Sequence, residues 1–426
     1  MKQIFNELKS QPVIATVTIA GTALAIFLIM IVVMMQQVKT ESFGQEPNRD
    51  RMLYLENLQV KGTGENGWAM ASRLSSHAIS QIFDNLEGVE LYTTYGGIAT
   101  VPVGVKGTPQ LRTSLRQTDP TYWRVFAHNF IAGHPYDSVM CANGDKNVVI
   151  TRGIARRYWT SPEQAVGKEL WVNRTPYTVI GVVGDVSPLA TEAFAQIWTP
   201  YKPDKPDDGP NGFTGGYCAA ALVDRSSTNS QVKDATDRRV AEINTRLSSA
   251  EFEINTLYHP FDQEQMAIDT EWGSEPDVKG ERKRRYILYL ILLIIPAVNL
   301  AGMTQSRLRH RKAEIGVRRA FGAPRGRIIR SILTENLVIT LIGGILGLAF
   351  SLAFAYLFAP LVFADSKSMF QSMETAPIAD ISAMFHWSTF ILALIFCFIL
   401  NFLSAGIPAI HASRINTVNA INGNER

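Results

Sequence analysis

The densest chemistry in this 426-residue chain is cationic. Residues 307–330 (RLRHRKAEIGVRRAFGAPRGRIIR) hold nine Lys or Arg against one acid, Glu314, a net charge of +8. Such a segment suits electrostatic docking, either on anionic headgroups or on a protein partner, and not bond making. On a helix, Ile315, Arg318 and Arg319 follow Glu314 and set apolar and basic groups on neighbouring faces. Gly322, followed by Ala323-Pro324, is a helix stop. Catalytic patterns are missing from the sequence: there is no H-E-x-x-H, G-x-S-x-G or C-x-x-C, and no G-x-x-x-x-G-K-[ST] phosphate loop. The nearest fragment to that loop, PEQAVGKE at 162–169, lacks the first glycine and the terminal hydroxyl. Without a backbone cradle and a magnesium ligand, the chain is expected not to hydrolyse ATP. The seven histidines are scattered, and a lone one such as His77 or His259 is more often an ordinary residue than a ligand. No catalytic and no metal-binding residue is therefore assigned.

The elements around the cationic segment explain its position. Hydrophobic residues make up 46% of the chain and charged residues 19%, against about 25% charged in a soluble domain. The mean hydropathy of +0.03 hides a strongly uneven distribution. No charge occurs between Lys9 and Lys39, Arg285 and Arg307, Glu335 and Asp365, or Asp380 and Arg414. Each run reaches the roughly 20 residues needed to cross a bilayer core as a helix, so four transmembrane helices are expected. The first run is longer than a signal-peptide core and lacks a small-x-small site after it, and reads as an uncleaved anchor. In the third, Gly343 and Gly347 stand at G-x-x-x-G spacing beside Gly344. They form either a helix-packing face or a flexible point, and the packing face is the preferred reading. The four uncharged runs carry no Asp, Glu, Lys or Arg, which disfavours an ion- or proton-coupled pathway through them.

Basic residues in short loops set the orientation. The +8 loop is expected in the cytoplasm with both termini, and the 364–386 loop, with three acids against Lys367, outside. The long segment between the first two spans then lies outside; over 39–278 it carries 22 bases and 30 acids. Lys279, Arg282, Lys283, Arg284 and Arg285 stand against this pattern, since they precede the second span on its outer side. They read either as a helical stalk or as a headgroup contact. A net charge of +3 and no extended basic domain exclude a nucleic-acid partner.

The long segment reads as α/β and not as a linker. Residues 168–185 (KELWVNRTPYTVIGVVGD) form a hairpin by alternation and turn chemistry, with the turn at Asn173-Arg174-Thr175. Residues 151–159 suit a short helix. In 229–247, Val232, Thr236, Val240, Ile243 and Leu247 make one helical stripe. Residues 203–210 (PDKPDDGP) are a surface loop. Cys141 and Cys218 either pair or remain as buried thiols, and a separation of 77 residues decides neither. Cys397 falls inside the fourth apolar run.

The R-x-x-E-I-G-x-x-R-A-x-G-A pattern, as Arg311, Glu314, Ile315, Gly316, Arg319, Ala320, Gly322 and Ala323, resembles the signature of MacB/FtsX-like ABC transporter permeases. LTENLVITLIGGILGL at 333–348, DPTYWRVFAHNFIAG at 119–133, 147–185, and PAIHASRINTVNAIN at 408–422 are similar to other parts of that family. His134 and Thr417 depart from residues common there, which blurs the subgroup. The resemblance implies an α-helical membrane protein with four transmembrane helices and a large extracytoplasmic α/β (α+β) domain, the MacB-type periplasmic core, between the first and second spans. The implied layout is N-terminus and first span 1–38, outer domain with stalk 39–285, second span 286–306, cytoplasmic loop 307–330, third span 331–363, outer loop 364–386, fourth span 387–411 and cytoplasmic tail 412–426. It also implies a coupling helix (Arg311, Glu314, Ile315, Gly316, Arg318, Arg319, Ala320, Gly322, Ala323) that docks on a separate ABC ATPase, where ATP and magnesium would bind. The chain itself would bind no cofactor and act as a non-enzymatic subunit of the bacterial inner membrane, in contact with membrane lipid. A second permease would complete a homo- or heterodimer, and a periplasmic adaptor and outer-membrane channel are further implied partners. Two functions follow from the resemblance. One is ATP-driven extrusion of peptides, antibiotics, toxins or lipoproteins by mechanotransmission. The other is FtsX-like signalling to an outer partner such as a cell-wall hydrolase.

Overall fold

Where they are described, the uncharged runs form long helices in the computed structural model. It describes residues 12–42, 44–64, 67–207, 209–268, 273–310, 317, 321–358 and 387–413. Helix α1 spans Pro12–Thr40. After the α/β segment come α4 (Val278–His310), α5 (Arg325–Leu357) and α6 (Trp387–Ser413); α4 contains the second run whole, and α5 and α6 the described parts of the third and fourth. Among the described residues, Ala15–Thr40 and Arg325–Leu357 are long and apolar enough to cross a membrane, and Ile391–Gly406 is a shorter apolar stretch. The chain divides into a helical unit (Met1–Gln37, Lys279–Val362 and Met384–Arg426) and a second unit built chiefly from Val38–Val278. The expected outer loop 364–386 lies outside the described residues.

The second unit is α/β and has two cores. Strands β1 (Met52–Leu55), β2 (Leu58–Gly62), β3 (Ala69–Leu74) and β4 (Val89–Gly96) begin it, with helix α2 (Ser76–Phe83) before β4. The chain next lays down β5 (Ala99–Gly104), β6 (Leu111–Thr118), β7 (Phe130–Gly133) and β8 (Asn147–Thr151). It continues with β9 (Glu169–Val172), β10 (Thr175–Val183), β11 (Ile197–Pro200) and the two-residue β12 (Thr214–Gly215). It closes with β13 (Tyr217–Val223), helix α3 (Asn229–Leu247), β14 (Phe252–Asn255) and β15 (Phe261–Asp262).

Pairing runs β11–β8–β10–β9–β5–β6, and β6 pairs again with β11, so these six strands close a barrel. The β8/β10 and β6/β11 pairs are parallel and the others antiparallel. Closure removes the open edges, and Val103, Val148, Ile150, Leu170, Val179, Val182 and Ile197 fill one core. In the second core, β13 runs between β4 and β1, and α2 and α3 pack their apolar residues against the sheet. Every residue of β13 (YCAAALV) is buried, as an unbroken apolar strand covered on both faces must be. The β9–β10 hairpin turns at Asn173 (φ 45°) and Arg174 (φ 65°). Two successive positive φ values are the I′ geometry that matches strand twist. Helix α3 begins in a capping box: Thr228 Oγ1 accepts from the Gln231 N–H, and Gln231 Oε1 accepts from the Thr228 N–H. Cys141 and Cys218 are free and buried.

Candidate functional site

In the helical unit, the three glycines of α5 sit where side chains would collide. A Cβ at Gly343 would lie 2.7 Å from Thr22 Cβ and 3.1 Å from the Ile19 carbonyl; at Gly347 it would lie 2.5 Å from the Ala23 carbonyl. At Gly344 it would meet Cys397 Sγ of α6. Gly343 and Gly347 therefore bring α5 against the backbone of α1, and Gly344 makes room for the Cys397 side chain of α6. Phe27 and Phe354 pack edge to face, 5.5 Å apart, beside this seam. Three polar groups in the bundle bond within their own helices. Thr22 Oγ1 donates to the Thr18 carbonyl (2.9 Å), Asn336 Nδ2 to that of Ile332 (3.0 Å) and Ser351 Oγ to that of Leu348 (2.8 Å). That is how hydroxyl and amide groups are accommodated among apolar helices. Gln37 Nε2 also donates to Ser388 Oγ at 3.0 Å.

Of the coupling-helix residues, Arg311, Glu314, Ile315, Gly316, Arg318, Arg319 and Ala320 lie outside the described residues. The structure places the end of the segment. The Phe321 N–H donates to the Val317 carbonyl at 3.1 Å, a helical bond four residues back. Gly322 then takes φ +83°, with nothing near its Cβ position, and Ala323 and Pro324 lead into α5. A left-handed glycine there is a helix stop. Phe321 is 88% exposed and Val317, one turn earlier, is 46% exposed. Charge dominates this segment in the sequence, and only the structure shows that the apolar pair is exposed.

A second constellation, also unforeseen, lies where α1 ends in the α/β unit. The last carbonyls of a helix have no intrahelical donors. Here Arg49 Nη1 donates to the Val38 carbonyl (2.7 Å) and Gln263 Nε2 to that of Lys39 (2.7 Å). Arg49 is 1% exposed, and its cationic head also suits the negative end of the helix dipole. Its Nε donates to Glu46 Oε2 at 2.5 Å, and its Nη2 to the Leu189 carbonyl at 2.9 Å. The other Glu46 oxygen accepts from the Glu192 and Ala193 N–H groups (2.8 and 2.7 Å). Glu192 Oε2 in turn faces Arg116 Nη1 of β6 at 3.4 Å. The Arg116 Nη2 donates to the Thr191 carbonyl, and its guanidinium lies 5.0 Å from the Tyr95 ring centre. A buried polar chain thus runs from the end of α1 through residues 189–193 to a barrel strand. Each of its charges faces an opposite one, which offsets the cost of burying them.

Beside it, Tyr122, Trp123, His128 and Trp198 pack ring on ring, with centroids 5.1 to 5.8 Å apart. Both His128 ring nitrogens are shielded from solvent. Burial, helped by the Arg116 charge, pushes the imidazole down to about 3. Asp119 accepts from Thr93 Oγ1 (2.6 Å) and from the Thr94 and Tyr122 N–H groups (3.0 and 2.9 Å). Burial outweighs these donors and raises its carboxyl to about 6. The arrangement holds backbone segments in place, and no group of His, Cys, Asp or Glu among the described residues is placed to hold a metal.

Two of the apolar helices are long enough to cross a membrane, and a large two-core α/β unit follows the first of them. Comparison with known proteins gives the family. The MacB-like periplasmic core domain model matches residues 15–242, and the FtsX-like permease C-terminal model matches residues 286–417. The chain belongs to this family of ABC transporter permeases. The macrolide export ATP-binding/permease protein MacB of Photorhabdus laumondii is 25% identical over 327 residues, 74% of this chain and 44% of that protein. The uncharacterized ABC transporter permease YknZ of Bacillus subtilis is 21% identical over 403 residues, 91% of this chain and 88% of that protein. Among solved structures, the periplasmic region of MacB from Actinobacillus actinomycetemcomitans aligns at 14% identity over 47% of this chain and 88% of that one, with a TM-score of 0.32.

Proposed function

We propose that the chain is the membrane subunit of an ABC system that couples ATP hydrolysis on a separate ATPase subunit to extrusion at the outer face of the inner membrane. The two family matches, in the order 15–242 then 286–417, carry this reading. Four spans place both termini in the cytoplasm and the acidic α/β unit outside. Two such subunits, identical or related, pair through their helices, and the segment from Arg311 to Ala323 docks on the ATPase. Phe321 and Val317, exposed at its end, supply the apolar part of that contact. The paired charges from the end of α1 to β6 suit a unit that transmits movement as a solid body. The substrate class is peptides, antibiotics, toxins or lipoproteins, handed on at the outer face.

The test combines co-purification with function. Phe321→Ser is expected to reduce ATPase retention at least tenfold, the loss of one buried aromatic anchor, and Glu314→Lys to leave the ATPase bound but its hydrolysis uncoupled from release. Full release of substrate from reconstituted vesicles by both variants would overturn the docking assignment. ATP-dependent activation of an outer hydrolase with no substrate movement would replace extrusion by signalling.

A further inference from the structure

We propose that Lys279–Arg285 at the start of α4 form a collar that binds the anionic headgroups of phospholipids at the membrane boundary. The inference rests on the reading of α4 as a span, and commits its bases to a specific partner. Three observations support it. First, the bases belong to the same helix as the uncharged run, since α4 continues unbroken from Val278 to His310. There is therefore no hinge or loop that would let the cluster turn away from the helix axis. Second, Arg282, Lys283, Arg284 and Arg285 are consecutive. At about 100° per residue they surround the helix, with Lys279 one turn before them. Lys279, Lys283 and Arg284 are exposed. The nearest acid, Glu281, pairs with Arg284 at 2.6 Å and still leaves its segment strongly basic, while Glu275 and Asp277 lie further from the apolar run. Third, the depth is right. The 21 residues between Arg285 and Arg307 rise about 31 Å on a helix, the thickness of a bilayer core. Tyr286, 67% exposed, and Tyr289 come directly after the bases, at the level where aromatic rings mark a membrane interface. Below them Ile287, Leu290, Ile291, Ile294 and Val298 are exposed apolar side chains suited to lipid tails.

The partner this fits is a phosphodiester anion held at a fixed depth. Long basic side chains on a span end extend to headgroup phosphates, and each is attracted to an anionic surface over about a Debye length. A soluble acidic protein would not need the tyrosines or the register with the apolar run.

The experiment uses the full chain in vesicles of phosphatidylglycerol and phosphatidylcholine in equal parts. The association of spin-labelled forms of each lipid with the protein is read by electron spin resonance. Phosphatidylglycerol should be preferred by about three- to tenfold. The preference should fall toward unity in high salt, and in the variant Lys279→Gln/Lys283→Gln/Arg284→Gln, whose changes are at exposed positions and whose incorporation into vesicles should be normal. An undiminished preference in that variant would overturn the headgroup contact. A second arm places a cysteine at the exposed Glu275 and applies an impermeant maleimide to spheroplasts. No labelling from outside, with the lipid preference intact, would overturn the orientation of the span and leave the headgroup contact standing. Labelling with no lipid preference would do the reverse.

Discussion

Arg49 carries its charge where solvent does not reach, and its surroundings explain how. It serves carbonyls at the end of α1, the Leu189 carbonyl and the Glu46 carboxylate together. Arg49→Ala leaves Glu46 buried without its cation, and is expected to lower stability by about 3–5 kcal/mol. The double change Arg49→Met/Glu46→Leu removes both charges and should cost clearly less than either single one. Thermal unfolding of the purified chain measures both, and equal losses would mean that the pair is not what holds the site. The two shifted groups nearby make opposite predictions about acid. His128 in the folded chain sits near 3, below its ordinary value of 6.5, so the unfolded chain binds its proton first and stability falls as pH drops from about 6.5 toward 3. Asp119 sits near 6, above its ordinary value of 3.8, so the folded chain binds the proton first and stability rises as pH drops from about 6 to 3.8. The contributions offset in the shared window. His128→Phe should expose the Asp119 gain on acidification, and Asp119→Asn the His128 loss. Melting temperatures of the two variants between pH 6 and 4 should therefore move in opposite directions. Parallel curves would remove the assignment.

Among elements, the α5 seam makes a graded prediction from three glycines of one helix. At Gly347 an added methyl meets a backbone carbonyl, which cannot move without shifting α1. At Gly343 it meets the Thr22 side chain and, less closely, a carbonyl; at Gly344 it meets only the Cys397 thiol, which has rotamer freedom. Substitution by alanine should therefore be worst at Gly347, intermediate at Gly343 and mildest at Gly344, with the first costing about 1–3 kcal/mol. Protease resistance of the helical unit in detergent would rank them. The β9–β10 turn is the converse case, a strained residue that glycine would relieve. Arg174 holds φ 65°, so Arg174→Gly should raise the melting temperature modestly, by a gain on the order of 0.5–1 kcal/mol.

For the whole molecule, the proposed arrangement stands or falls on which side of the membrane each part faces. Asp207 lies in the α/β unit and Arg325 at the start of α5. A cysteine at Asp207 should react with an impermeant reagent from outside spheroplasts, and one at Arg325 only after permeabilisation. The opposite pattern would invert the topology, and with it the ATPase contact and the outer-face handling of substrate.

Local order alone was enough to read several parts of this protein. The uncharged runs are visible because charge is excluded over a bilayer's length. The hairpin at 169–183 and the helix Asn229–Leu247 are visible because strand alternation, turn residues and a 3.6-residue stripe are properties of neighbours in sequence. The permease signature is likewise contiguous. The glycines of α5 stood out by spacing, but Thr22, Ala23 and Cys397 as the groups they meet did not. Barrel closure depends on β6 pairing with β11 some eighty residues later, and no local pattern encodes a return of that length. Arg49 lies close in sequence to Glu46 and Val38, but no local pattern shows that the Leu189 carbonyl, 140 residues on, completes its site. Sequence determined which segments avoid water and which element each prefers, since those are energies of single residues and near neighbours. Tertiary structure decided which distant carbonyls, rings and charges meet, since burying them is favourable only when the partners arrive together.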